Sequence, residues 1–152
     1  MSVTPAIDFD FFASHLPQAV DALRTLSHSA SSALDKRLVE LLKVRVSQIN
    51  GCAYCLQLHL NWARLAGVPQ RSLDRVAVWR DAPDFTALER AALSWTEALT
   101  DPARHEGLRA ARKGLAVFFT PEQTLQLTVA IAAINAWNRI AGPLNFTPPE
   151  AV

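Results

Sequence analysis

The sequence contains only two cysteines among its 152 residues, so a disulfide framework is not what stabilises its fold. A chain of this length can bury roughly 70% of its unfolded surface and needs no such cross-links. It also lacks a long apolar run. The longest one, around residues 127–137, is interrupted by Thr128 and Asn135 and is shorter than the ~20 residues that cross a bilayer. We therefore expect no membrane span.

The sequence also lacks an excess of charge of one sign. Acidic and basic residues are interspersed, and the formal net charge is +1. Such a chain has no long-range field to recruit nucleic acid or an anionic membrane, so we expect neither as a partner. The first residues show no basic segment followed by an apolar core, which predicts no signal peptide and a cytoplasmic location. In that reducing compartment, a close cysteine pair favours catalysis or metal binding over a structural cross-link.

The period-two alternation of β-strands is missing as well, and helical periodicity dominates. Asn50-Gly51 interrupts the pattern, and Gly51 can adopt the positive φ that ends a helix. Thr86 with Glu89, and Thr120 followed by proline, are helix-start signals. We predict helices over residues 34–49, 52–66, 72–80, 87–99, 103–115 and 121–140. With no internal linker or repeat, the sequence predicts a single all-α domain, a helical bundle covering residues 1–152.

All of the thiol chemistry lies in one segment, Glu40-x11-Cys52-x2-Cys55-x3-His59. Offsets of three and four place side chains along one helical face, so Cys52, Cys55 and His59 would share a patch. At a predicted helix N-terminus, unpaired N–H groups and the helix dipole favour thiolate over thiol. Two alternatives are a pair of small buried side chains and a zinc site, which ranks lower because a second ligand pair is missing. The spacing favours a redox dithiol.

His59 is the nearest base to the cysteines. Lowering a thiol pKa by two units requires about 2.7 kcal/mol, whereas a helix terminus typically contributes about 0.3–1 kcal/mol. A neighbouring base or cation must supply the balance, and His59 lies one helical turn after Cys55.

The pattern alone gives the other polar and aromatic residues ordinary roles. Glu40 shares a helical face with Lys36, Lys43 and Ser47, which predicts a solvated stripe. Tyr54 either packs or presents its phenol near the thiols. Two further acids, Glu89 and Glu97, and three histidines, His15, His28 and His105, are predicted on the surface. The four tryptophans, Trp62, Trp79, Trp95 and Trp137, are predicted in the core or at an interface.

The segment from Glu40 to His59 resembles the signature of the carboxymuconolactone decarboxylase-like superfamily, in its alkylhydroperoxidase D-like branch. Residues 88–100 and 119–140 resemble later helices of that family, so the resemblance covers about residues 34–140. It implies an all-helical fold that assembles as trimers or hexamers. It also implies peroxidase activity toward hydroperoxides, with a dithiol donor, a lipoyl protein or a thioredoxin-like protein, to regenerate the cysteines. We expect neither a cofactor nor a metal.

By position, the resemblance makes Cys55 the cysteine attacked by peroxide and Cys52 the resolving, more exposed partner. His59 and Glu40 become the proton relay, so Glu40 changes from a surface acid to a base behind the histidine. One position departs from the family pattern. Well-studied members have a histidine just before the second cysteine, and here Tyr54, which cannot relay protons at neutral pH, stands there.

The resulting hypothesis is a thiol peroxidase or disulfide reductase. One alternative is the lactone decarboxylase chemistry of the sister branch, with His59 acting on a carbon acid. The other is a non-enzymatic redox-sensing oligomer, whose disulfide changes how the subunits pack.

Overall fold

The computed structural model describes residues 7–101, 103 and 105–152, and every regular element within them is helical. The all-α class predicted from periodicity is confirmed. The α-helices are α1 Phe9–His15, α2 Pro17–Ser31, α3 Lys36–Asn50, α4 Ala53–Leu65, α5 Gln70–Arg75, α6 Ala87–Thr100, α7 His105–Leu115 and α8 Pro121–Ala141, with a 3-10 helix at Val76–Val78. None of these described helices is both long and apolar enough to cross a membrane.

Helix starts follow the predicted capping residues. Thr86 and Thr120 each accept a hydrogen bond from the backbone three residues on, and Glu89 and Gln123 complete the two capping boxes. Residue 104, inside the helix predicted over 103–115, lies outside the described residues, as does the side chain of His105.

The helix predicted over 72–80 is wrong in its bounds. It begins earlier, at Gln70, because Pro69 cannot donate a backbone hydrogen bond and so suits the position just before a helix. It also ends earlier: the backbone of Arg75 departs from helical values, with φ −112° and ψ 0°. The 3-10 turn that follows buries Val76 and Trp79.

Helix α3 lies at the centre of the bundle and packs against α4, α6 and α8. The solvated stripe predicted on it is wrong, because Glu40, Lys43 and Ser47 are all buried. Glu40 bonds to His59 of α4, and Ser47 bonds to Asn138 of α8, so neighbouring helices cover the face that the pattern assigned to water. Packing around a central helix thus overrides its amphipathic pattern.

Glu97 of α6 is also not the surface acid that the pattern predicts, since only 2% of it is exposed. Its carboxylate accepts hydrogen bonds from Arg45 at 2.8 Å, Arg80 at 2.6 Å and the Trp79 indole at 3.0 Å. Burial alone would raise the pKa of Glu97, but these three donors outweigh it and lower the pKa. The buried carboxylate joins α3, α6 and the segment after the 3-10 helix.

Candidate active site

The first cysteine sits in the turn between α3 and α4. Gly51 adopts the predicted left-handed conformation, with φ +67°, and Cys52 then takes an extended conformation as the N-cap of α4. The Cys52 sulfur accepts a hydrogen bond from the backbone N–H of Cys55 at 3.3 Å. Cys55 and His59 therefore share a helical face as predicted, whereas Cys52 reaches them from the cap and not from the helix.

The two cysteines form a disulfide, with Cα atoms 5.4 Å apart. Only 1% of Cys52 and 2% of Cys55 is exposed, so the expectation of a more exposed Cys52 is wrong. Gly142 at the end of α8 explains part of this burial. A Cβ atom at Gly142 would lie 3.7 Å from the Cys52 Cβ, an ordinary contact distance, so the end of α8 packs beside the cap. The same Cβ would lie only 2.8 Å from the Asn138 carbonyl oxygen of α8 itself, which is too close without a shift.

A partly buried amide cluster holds the turn against α8. The Asn50 side chain donates to the side-chain oxygens of both Asn135 and Asn138, each at 2.9 Å. Asn138 donates in turn to the Ser47 hydroxyl at 3.3 Å. Because buried amides are costly to leave unpaired, this cluster fixes the end of α3 and the position of the cysteine cap.

The predicted relay pair is in direct contact. His59 and Glu40 are almost fully buried, and Nδ1 of the imidazole lies 2.7 Å from Oε2 of the carboxylate. Lys43, one turn after Glu40, places its Nζ 3.7 Å from the other carboxylate oxygen. The sequence separated these partners by 19 residues, and the packing of α3 on α4 brings them together.

The environment makes the histidine neutral and the carboxylate charged. Burial lowers the pKa of His59 by disfavouring its cation, and the Glu40 hydrogen bond and charge offset this only in part. For Glu40, burial acts to raise the pKa, but the hydrogen bond to His59 and the nearby positive charges outweigh it and lower the pKa. At neutral pH, Nδ1–H therefore donates to an ionised Glu40, which leaves Nε2 as the basic nitrogen.

Nε2 opens onto a cavity. Nε2 has no hydrogen-bond partner among the described residues. Every fully buried side-chain nitrogen or oxygen of those residues has a partner, so Nε2 is not fully buried. Nε2 must therefore be reached from the cavity that His59 lines, whose volume is about 480 Å³. That volume lies within the range of about 300–1,000 Å³ common for small-molecule sites.

The cavity lies between two helices of different character. The α4 wall carries the cysteine, the histidine and apolar side chains: Tyr54, Cys55, Leu58, His59 and Trp62. The α2 wall is polar: Arg24, Ser27, His28 and Ser31. Phe9, Lys43, Ile134 and Trp137 complete the lining. The structure thus brings Cys55, His59 and Tyr54 to one cavity, with Cys52 and Glu40 one layer behind.

Tyr54 is held by aromatic packing. Its ring stacks on Phe9, with centroids 6.3 Å apart, and meets Phe146 edge-on at 5.5 Å. Burial is the main cause that raises the pKa of its phenol, so it is protonated at neutral pH and cannot act as a base there. These contacts fit the packing interpretation of Tyr54, and the residue lines the same cavity as Cys55.

Sequence reasoning missed several lining residues. Lys43 was assigned to solvent, although its place one turn after Glu40 was a usable signal. Arg24 was not singled out, and His28 was predicted as an ordinary surface residue; it is exposed, but it borders the cavity. Trp62 is 43% exposed, and its ring meets the His59 ring edge-on at 5.2 Å.

Among the described residues, no group of three His, Cys, Asp or Glu side chains could hold a metal ion.

Comparison with known proteins decides the family. Residues 15–98, which contain the whole segment from Glu40 to His59, match the sequence model of the carboxymuconolactone decarboxylase family. The chain belongs to this family. The match begins before residue 34 and takes in all of α2, and it ends at residue 98, inside the predicted family-like region of about 34–140.

Individual relatives support the alkylhydroperoxidase D-like branch. A structure of an Agrobacterium tumefaciens protein of unknown function, suggested to be an antioxidant defence protein AhpD, has 36% identity and a TM-score of 0.89, covering 97% of this chain and 99% of that one. The uncharacterized protein YdfG of Bacillus subtilis is 30% identical over 114 residues, 75% of this chain and 78% of YdfG.

A third protein shares the fold. The AhpD core structure of an uncharacterized peroxidase-related protein from Ralstonia eutropha JMP134 has 23% identity and a TM-score of 0.80, covering 92% of this chain and 75% of that one. This chain therefore has the alkylhydroperoxidase D-like fold and belongs to a family whose activities are peroxidase-related or decarboxylase-like.

Proposed function

We propose that this protein is a thiol-dependent peroxidase that reduces hydroperoxides with the Cys52–Cys55 couple. The observation that carries the proposal is the meeting of three groups at one cavity: a cysteine of a closed Cys-x-x-Cys pair, a neutral histidine with an open Nε2, and a buried carboxylate behind that histidine. A thiol oxidised by peroxide needs a base to remove its proton and a second thiol to resolve the product.

Cys55 is the cysteine attacked by peroxide in this scheme, because it lines the cavity and Cys52 lies behind it. His59 Nε2 removes the thiol proton and becomes an imidazolium beside the Glu40 carboxylate. The thiolate attacks the terminal peroxide oxygen, the O–O bond breaks, and Cys55 becomes a sulfenic acid. The alkoxide that leaves takes the proton back from His59 and departs as an alcohol.

Cys52 then closes the cycle. Its thiol attacks the sulfenic sulfur, a disulfide forms, and water leaves with the sulfenic oxygen and the thiol proton. An external dithiol reduces the disulfide by exchange and is itself oxidised to a disulfide. A lipoyl or thioredoxin-like protein supplies that dithiol in the proposal, and the enzyme works in the cytoplasm as a homotrimer or hexamer. Since the cysteines are buried, the donor must reach Cys55 through the cavity.

Single-cysteine variants test the scheme. Cys55→Ser should abolish turnover of cumene hydroperoxide with dithiothreitol, because it lacks the attacking sulfur. Cys52→Ser should form no intramolecular disulfide, because dithiothreitol must resolve the sulfenic acid in place of the missing sulfur. One equivalent of peroxide should leave a sulfenic acid on Cys55 in Cys52→Ser, detected by mass spectrometry after trapping with dimedone. Absence of a dimedone adduct in both variants would falsify the proposal, and trapping in Cys55→Ser alone would reverse the two roles.

A second candidate is decarboxylase-like chemistry, favoured by the match to the carboxymuconolactone decarboxylase family. There the free Nε2 of His59 would move a proton on a carbon acid in the same cavity, and neither sulfur would react. Alkylation of the reduced protein with iodoacetamide separates the two, because peroxidase activity ends with the free thiols whereas decarboxylase activity survives.

A further inference from the structure

The polar side chains of α2 form one wall of the cavity. Arg24, Ser27, His28 and Ser31 follow the offsets of three, four and seven that place residues on one helical face. Each of these side chains can donate a hydrogen bond, and none is a carboxylate. We call this set the α2 wall.

The permanent charges on the cavity lining are positive, and two nearby carboxylates lie outside that lining: Glu40 behind His59, and Asp10, whose charge adds to burial in raising the pKa of Tyr54. Arg24 and Lys43 are the permanent cations, and the described lining includes no acidic side chain. Lys43 already pairs with Glu40 behind the cavity, at 3.7 Å. Arg24 lies over the Phe9 ring, 5.5 Å from its centroid, and forms no ion pair within the described part of the chain. The guanidinium is therefore free to pair with a ligand.

The opposite side of the cavity is apolar. Leu58, Trp62, Ile134 and Trp137 lie around the reactive residues Cys55 and His59. A volume of about 480 Å³ is far more than hydrogen peroxide needs, since one water molecule occupies about 30 Å³ of liquid. The cavity suits an organic molecule with an apolar body and an anionic end.

We propose that the cavity selects organic hydroperoxides that carry a carboxylate, with the carboxylate bound at the α2 wall by Arg24 and the peroxide directed at Cys55. This inference rests on the peroxidase function proposed above. The reaction is the one already described: the hydroperoxy acid is reduced to a hydroxy acid, and the carboxylate takes no part in the chemistry. Arg24 is a binding residue that decides specificity.

Binding is tested first without any peroxide. Decanoate and methyl decanoate are titrated into the oxidised protein, with fluorescence of the cavity tryptophans as the readout. Decanoate should bind about tenfold more tightly than its ester, because a charge-assisted hydrogen bond contributes on that order. In Arg24→Gln the preference should fall below about threefold, and Arg24→Lys should keep most of it because the charge stays. Arg112→Gln, an exposed arginine of α7 away from the cavity, is the matched control and should bind as the wild type does.

Turnover is tested next, with dithiothreitol as a neutral donor. A C10 hydroperoxy acid should exceed its methyl ester in kcat/KM by about tenfold, and Arg24→Gln should remove the difference, whereas the control Arg112→Gln should keep it. Equal binding and turnover of acid and ester, or an unchanged preference in Arg24→Gln, would overturn the inference and leave the peroxidase function standing. Selective decanoate binding with no turnover of any hydroperoxide would instead reject the proposed function and keep the anion site.

Discussion

Replacing Glu40 by glutamine tests whether the buried carboxylate serves chemistry or folding. Glutamine has nearly the same shape, and its side-chain oxygen can still accept the hydrogen bond from His59 Nδ1–H. Only the charge is lost. In the proposed reaction that charge matters when His59 takes the Cys55 proton, because an imidazolium then forms 2.7 Å from the carboxylate oxygen.

The size of the effect follows from this geometry. Two unit charges about 4 Å apart at an effective dielectric constant of about 20 interact by about 4 kcal/mol. Lys43 lies 3.7 Å from the other carboxylate oxygen and offsets part of that charge. We therefore take about 2.7 kcal/mol as the stabilisation of the imidazolium that is lost with the carboxylate charge. Since 1.36 kcal/mol changes a rate tenfold, Glu40→Gln should lower kcat about 100-fold.

Glu97→Gln is the matched control, because Glu97 is an equally buried carboxylate that does not line the cavity. The substitution Glu97→Gln removes the charged partner of Arg45 and Arg80. It should therefore destabilise the fold by about 1–3 kcal/mol, a figure discounted for the solvent that reaches Arg80. Peroxidase assays and thermal melts on both variants separate the roles. Both variants should melt lower than the wild type, because each leaves a cation without its carboxylate partner. Assayed below their melting temperatures, Glu40→Gln should turn over slowly, whereas Glu97→Gln should keep its kcat. A near-normal kcat in Glu40→Gln, or an equal loss in folded Glu97→Gln, would refute the reasoning.

Two further predictions concern stability. The folded-state pKa values of His59 and Glu40 are both lowered. In acid, the unfolded chain therefore binds more protons than the folded chain. The free energy of unfolding should then fall as pH drops below 6.5, the ordinary pKa of histidine. Urea unfolding across that range checks this, and His59→Gln should flatten the first part of the fall. Gly142→Ala should destabilise by about 1–3 kcal/mol through overpacking against Asn138. Gly114→Ala on α7, where a Cβ meets nothing within 4 Å, should not; equal melting temperatures would contradict the close approach to Asn138.

Local signals in the sequence were enough to predict the starts of α4, α6 and α8, whereas α1 and α2 were not predicted. The capping residues Thr86 and Thr120 act within one turn of the chain, and so does the glycine at position 51. The same holds for the spacing of Cys52, Cys55 and His59, since their order along the chain places them near one another whatever the rest of the fold does. Local chemistry of this kind is visible without coordinates.

Burial of charged residues was not predictable in this way. Glu40 and Glu97 have the spacing of ordinary surface acids, and each is buried because a distant segment supplies its partner. His59 is 19 residues from Glu40, and Arg45 is 52 residues from Glu97. Only the resemblance to a family indicated a role in the proton relay for Glu40. Nothing in the sequence pattern indicated that Glu97 is more than a surface acid.

The sequence by itself determined that this chain is helical and that it carries two thiols within two turns before an imidazole, because helix periodicity, caps and a short motif are properties of neighbouring residues. Tertiary structure decided the rest. It placed a carboxylate behind the histidine, enclosed Cys52, and set the α2 wall across a cavity from Cys55. Those relations depend on how helices far apart in the chain pack together, and the physical quantities that matter to the chemistry, desolvation and distance between charges, exist only after that packing.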